Sequence, residues 1–218
     1  MSLTENLKKL ADQNAAKIPQ EYQTVMQQAI DDLESSKLTE RSLKSGDTIP
    51  EITLPNAKGD EVSVQSILGQ GKKVVIAFYR GGWCPYCNLE LRALQSVLSD
   101  IKASGAELIA ITPETPDNSL STTEKNELTF EVLSDKGNAV ARKFNLVYTL
   151  PDELNEIYKK FGIQLDQSQG NTKNELPISA TYVVDTNGKI IYDYIKEDYK
   201  LRADPNEVVQ VLEKETVA

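Results

Sequence analysis

The sequence predicts an α/β protein, a central mixed β-sheet flanked by helices, with a helical extension at the N-terminus. Two observations carry this expectation. Short β-branched runs such as Lys73 to Tyr79 (KVVIAFY), Glu107 to Thr112 (ELIAIT) and Ala180 to Asp185 (ATYVVD) are separated by segments with helical spacing of apolar residues. Ahead of all of them, residues 3 to 36 show no strand signal and carry apolar positions three and four apart. The 218 residues suit one domain with an extension, so the division is placed at 1–44 (extension) and 45–218 (globular domain).

In order, Leu3, Leu7 and Leu10, then Tyr22, Val25, Met26, Ile30 and Leu33 predict two amphipathic helices broken at Pro19. Their stripes would pack on the main domain or on a second subunit, so a homodimer is one expectation. From Ser45 turn residues become dense, and Ile52 to Leu54 with Glu61 to Val64 read as a hairpin. KVVIAFY is apolar without alternation, as in a strand covered on both faces, and it leads into Arg80-Gly81-Gly82-Trp83-Cys84. Pro85 to Lys102 reads as one helix, with proline in the first turn where its missing N–H costs nothing.

ELIAIT is a second buried strand, Leu120 to Leu128 a helix, Phe130 to Leu133 a third strand, and Asn138 to Phe144 and Asp152 to Phe161 short helices. Ala180 to Asp185 and Lys189 to Ile195 form a hairpin about Asn187-Gly188, and Pro205 to Lys214 is a closing amphipathic helix.

Composition removes several function classes. With no histidine there is no His-based triad or imidazole metal site, and a net charge of −9 disfavours nucleic acid and anionic membrane as partners. No apolar run approaches the ~20 residues that span a bilayer, and the charged N-terminus has no signal-like stretch, so a cytoplasmic location is expected. Asp117, Asp135, Glu175 and Asp185 show no pairing by spacing and read as solvated turn residues.

Chemistry concentrates at the two cysteines, Cys84 and Cys87. Two thiols without histidine fall short of a four-ligand zinc site, so neither metal nor cofactor is expected and redox chemistry is. Cys84 sits where a helix begins, a position that acidifies a thiol. Cys87 lies one turn on, within reach of a reversible disulfide. Arg80 would add positive charge, and Gly81-Gly82 would let a substrate approach the backbone.

Trp83-Cys84-Pro85-Tyr86-Cys87 resembles the active site of the thioredoxin fold. With Gly46 to Pro50, Phe78 to Gly82 and ATYVVD, residues from about 45 to 215 resemble peroxiredoxin-like proteins of the alkyl hydroperoxide reductase and thiol-specific antioxidant group. The resemblance implies a thioredoxin-like fold. It also implies an antioxidant oxidoreductase that reduces hydroperoxides through a Cys84/Cys87 dithiol–disulfide cycle, recharged by thioredoxin or by glutathione and glutaredoxin. Laid ungapped, the PxxxTxxC pattern of that family puts Arg80 at the proline, Cys84 at the threonine and Cys87 at the peroxidatic cysteine, and the family's arginine falls on Ser179.

Three of those four groups are thus replaced, with Arg80 as the cation on the same loop. By thioredoxin logic Cys84 attacks and Cys87 resolves; by peroxiredoxin register the roles reverse. Helix position favours Cys84, and either route ends in a Cys84–Cys87 disulfide. Trp83 is expected as a wall beside it, Pro85 as the helix start, and Tyr86 as an exposed aromatic facing a partner. Pro177 and Ser179 lie near the place of the thioredoxin cis-proline. Two alternatives accompany the peroxidase reading: a thioredoxin- or glutaredoxin-like protein disulfide reductase, and a non-enzymatic redox-sensing interaction module.

Overall fold

A computed structural model describes residues 2–214. Helices α1 (Leu3–Lys17) and α2 (Gln20–Ser35) meet at Pro19, and a short α3 (Leu38–Arg41) follows. Ser2 caps α1 through a reciprocal pair with Glu5, the arrangement that satisfies two otherwise unpaired N–H groups. The hairpin β1 (Thr53–Pro55) and β2 (Glu61–Ser63) runs into α4 (Val64–Gly69), a helix the sequence reading assigned to no element.

Then come β3 (Lys73–Phe78), α5 (Pro85–Ser96), α6 (Leu98–Ala103), β4 (Ala106–Thr112), α7 (Pro116–Lys125), β5 (Glu131–Ser134) and α8 (Ala139–Lys143). A second small hairpin, β6 (Val147–Thr149) with β7 (Glu175–Pro177), encloses α9 (Asp152–Lys160) and α10 (Leu165–Gln169). β8 (Ala180–Val184), β9 (Ile190–Ile195) and α11 (Pro205–Lys214) close the chain.

The main sheet has the order β5-β4-β3-β8-β9. β3, β4 and β5 are parallel, whereas β8 and β9 add antiparallel to β3. Alternation along β3 explains its unbroken apolar run: Val75, Ala77 and Tyr79 enter one core with α1, α5 and α11, and Val74, Ile76 and Phe78 enter the other with α4 and α8. The sheet is therefore covered on both faces, as predicted.

Three expectations are corrected. The single helix over 85–102 is two, divided at Val97, whose backbone leaves the helical region at φ −108° and ψ 9°. The helix expected at Leu120 starts earlier, at Pro116, because proline is well placed at a first turn. Asp135 is not a solvated turn residue: it is buried, and its carboxylate accepts the N–H groups of Val140 and Ala141 at the start of α8.

The N-terminal helices pack on the body. Leu3 and Leu7 of α1 are buried in the core that holds α5, while Tyr22, Val25 and Met26 of α2 pack on the cluster built around α9. No helix among the described residues is long and apolar enough to cross a membrane.

Candidate active site

The loop from Arg80 to Trp83 leaves the carboxyl end of β3, and Cys84 is the N-cap of α5 with Pro85 at its first turn. The glycines serve this loop differently from the sequence expectation. A Cβ on Gly81 would stand 2.3 Å from Trp83 Nε1, and one on Gly82 only 1.9 Å from Thr122 Oγ1. They make room for protein side chains, not for substrate. The Gly82 N–H donates to the buried Glu114 carboxylate at 2.8 Å, and the Asn88 amide donates back to the Gly82 carbonyl at 2.8 Å. Gly82 is thus held through both its N–H and its carbonyl.

Both cysteines are free and buried, at 1% and 0% exposure. Burial alone would push the Cys84 thiol up. The hydrogen bond from Cys87 and the charges of Arg80 and Arg202 outweigh it, and bring Cys84 down to about 6. Cys87 moves the other way: burial, its hydrogen bond to Cys84 and the neighbouring thiolate hold it well above the usual thiol range. One proton is thus shared unequally, with Cys84 as the thiolate.

Arg80 is 2% exposed and sits among aromatic rings, 4.6 Å from the Tyr199 centroid and 5.1 Å from that of Trp83. Its Nη2 donates to the Tyr158 hydroxyl at 2.5 Å. Among the described residues no carboxylate pairs with it, so its nearest source of negative charge is the Cys84 thiolate. Trp83 itself packs on Tyr158, with centroids 5.5 Å apart.

The second cation, Arg202, was not legible in the sequence. It is buried after β9, and its Nη2 donates to Cys87 Sγ at 3.4 Å while its Nε donates to Glu90 at 2.6 Å. Thr181 donates to the other Glu90 oxygen at 3.4 Å. Burial raises Glu90 to about 7 against the pull of Arg202, and Glu114 is likewise raised to about 7 by burial, opposed by its bond from Gly82. Glu90 had one sequence signal: it lies three positions after Cys87 in an otherwise apolar helix face with Leu91 and Leu94. Arg202 had none.

Tyr86 is buried and does not present itself to a partner: Asn14 of α1 donates to its hydroxyl at 3.3 Å, and its ring meets Tyr199. The described residues contain no cis peptide, so Pro177 is not a cis-proline. It pairs in β7 with Val147, and Ser179 is buried with a hydroxyl that has no hydrogen-bond partner. Ser179 stands just beyond the Phe78–Ala180 register, at the end of the sheet from which the cysteine loop leaves. Beside Cys84 lies a cavity of about 490 Å³ lined by Arg80, Trp83, Cys84, Pro85 and Tyr86 together with residues of α1, α2 and α9. Cys87, Pro177 and Ser179 do not line it.

Comparison with known proteins gives the lineage of this arrangement. A model described as the AhpC/TSA family matches residues 45–193. The chain belongs to the AhpC/TSA family. It is 33% identical over 105 residues to a putative peroxiredoxin bcp of Buchnera aphidicola, covering 48% of this chain and 65% of that protein. It is 28% identical over 149 residues to a putative peroxiredoxin of Mycobacterium tuberculosis, covering 68% and 83%. The chain thus spans somewhat under two thirds of the first of these relatives.

Among solved structures it resembles peroxidoxin BcpB of Mycobacterium tuberculosis, with a TM-score of 0.62, 19% identity and coverage of 79% of this chain and 97% of that one. The fold is the thioredoxin-like fold of the peroxiredoxins, as the sequence resemblance implied. Helices α1 and α2 lie outside the part matched by the AhpC/TSA model.

Proposed function

We propose that this AhpC/TSA chain is a thiol-dependent peroxidase in which Cys84 attacks a small hydroperoxide. The observation that carries the reading is the depth of the acidified thiol: Cys84 is a thiolate at neutral pH yet only 1% exposed, and it is reached from a cavity of about 490 Å³. A small peroxide fits that approach. A disulfide on a folded protein does not, which sets this reading above protein disulfide reduction.

In the first step the Cys84 thiolate attacks the outer peroxide oxygen, forming an S–O bond and breaking O–O. The alkoxide leaves and takes a proton from solvent to give the alcohol. The Cys87 sulfur then attacks the sulfenic acid, so that an S–S bond forms and water leaves. Arg80 supplies positive charge beside the developing oxyanion, the task the family's arginine would have at the position of Ser179. Arg202 stabilises the Cys87 sulfur as it gives up its proton. Two electrons from a thiol reductant, thioredoxin or glutathione with glutaredoxin, restore the dithiol in a reducing cytoplasm. The cycle closes within one chain, so a homodimer is not required by the chemistry.

Stopped-flow fluorescence of the reduced protein mixed with hydrogen peroxide tests this, with Trp83 as reporter because it is the sole tryptophan. The expected signal is far faster than a free thiol gives. Cys87→Ser keeps the fast phase and accumulates a sulfenic acid on Cys84 that dimedone traps; Cys84→Ser loses it. A reaction no faster than free cysteine with hydrogen peroxide and with an organic hydroperoxide alike overturns the peroxidase reading, and a fast phase retained in Cys84→Ser alone moves the attack to Cys87.

A further inference from the structure

The cavity at Cys84 has one wall made by the catalytic loop and another made by the N-terminal helices, which the AhpC/TSA match does not include. That second wall is part apolar and part polar, with Asp12, Asn14, Gln23 and Gln27 on it. Ala11 and Ala15 of α1, Ile18 just after it and Met26 of α2 form its apolar part, and Phe161 and Tyr199 also line the cavity.

The wall is held in place by contacts that leave it little freedom. The Gln23 amide donates to the carbonyls of both Ala15 and Ile18, at 2.9 and 2.7 Å, and so fixes the corner between α1 and α2. Tyr22 meets the Phe161 ring edge-on with centroids 6.0 Å apart, and the Lys160 ammonium lies 4.9 Å from the Tyr22 ring, tying α2 to the end of α9. Hydrogen peroxide has no hydrocarbon surface for the apolar part of that wall to hold. A volume of about 490 Å³ is on the scale of pockets that enclose small organic molecules, which run from roughly 300 to 1,000 Å³.

We propose that α1 and α2 are the specificity-determining part of this enzyme, with Ala11, Ala15, Ile18 and Met26 selecting hydroperoxides that carry a compact hydrocarbon body over hydrogen peroxide. This rests on the peroxidase reading above for its chemistry, but not for its binding surface. The hydrocarbon body lies against the helical wall and delivers the peroxide group to Cys84. After O–O cleavage the product alcohol occupies the same wall.

Two readouts test the proposal, one of turnover and one of binding. The reduced protein reacts with cumene hydroperoxide faster than with hydrogen peroxide, and in Ala15→Phe, an exposed helix position where the new ring enters the cavity mouth, that ratio falls by about tenfold or more, the scale of a methylene-sized contact. Ala16→Phe, on the same helix but away from the cavity, keeps the wild-type ratio. Independently, the product 2-phenylpropan-2-ol perturbs Trp83 fluorescence saturably, and more weakly in Ala15→Phe.

If hydrogen peroxide is preferred, or if Ala15→Phe and Ala16→Phe give the same ratio, the specificity role is overturned while peroxidase chemistry stands. If neither peroxide outpaces a free thiol and the alcohol still binds in an Ala15-dependent way, the chemistry is overturned and the binding wall stands. Absence of saturable alcohol binding in the wild type removes the wall.

Discussion

Arg80 and Arg202 both lower the Cys84 thiol, yet their removal has different consequences, because only one of them is paired. Arg80 has no carboxylate partner, so Arg80→Met takes away a buried cation and leaves no stranded anion. We expect the Cys84 pKa to rise from about 6 toward that of a free thiol, read by the pH profile of alkylation or of thiolate absorbance, with little loss of stability. A profile that stays at about 6 would assign the acidity to the Cys87 hydrogen bonds and Arg202 instead. Arg202→Met also raises Cys84, but it strands Glu90, and breaking such a buried pair costs about 3–5 kcal/mol. The double variant Glu90→Gln/Arg202→Met recovers much of that stability without recovering the thiolate. Urea unfolding separates the two effects.

At the scale of elements, the loop between β3 and α5 depends on close packing against α7. In Gly82→Ala the new methyl would stand 1.9 Å from Thr122 Oγ1, and relieving such a clash costs about 1–3 kcal/mol. Thr122→Ala in the same chain is expected to restore part of that loss in urea unfolding; no restoration would place the strain elsewhere in the loop. This is also where sequence legibility ends. The strand and the helix start at Pro85 follow from local preference and are legible as elements.

The partners of that loop come from far along the chain: Glu114 to Gly82, Asn14 to Tyr86, Arg202 to Cys87. No local pattern encodes them, so Tyr86 reads as exposed when only its own helix is considered. The β6–β7 hairpin was missed for the same reason, since its three-residue strands pair across an insertion containing two helices. β3 was legible because burial on both faces leaves its signature in consecutive residues.

For the molecule as a whole, the unequal sharing of a proton between the two thiols ties folding stability to redox state. Between pH 6 and about 8.5 Cys84 is ionised in the folded reduced protein, while in the unfolded chain it still holds its proton. The unfolded state therefore binds more protons, and raising the pH through this window stabilises the reduced fold, by on the order of 3 kcal/mol across the full interval. Below pH 6 the contribution disappears because both states are protonated. Above about 8.5 Cys84 is ionised in both states and adds nothing more, while Cys87 ionises on unfolding but is held protonated in the fold, so stability falls again.

Glu90 and Glu114, both raised to about 7 chiefly by burial, act in the opposite direction between about pH 4.3 and 7. They are present in both redox states and drop out of the difference to first order. The disulfide form has no thiol to ionise, so the stability of reduced protein minus that of oxidised protein is expected to rise from pH 6 to about 8.5 and to fall above it. Paired urea titrations of the two forms at pH 5.5, 7 and 8.5 measure it. A gap that stays flat over this range would mean that Cys84 keeps an ordinary thiol pKa in the fold, and a gap that falls would reverse the assignment of thiolate and thiol. A rising gap means that the two buried guanidinium groups favour the dithiol state, making the disulfide the more oxidising for their presence.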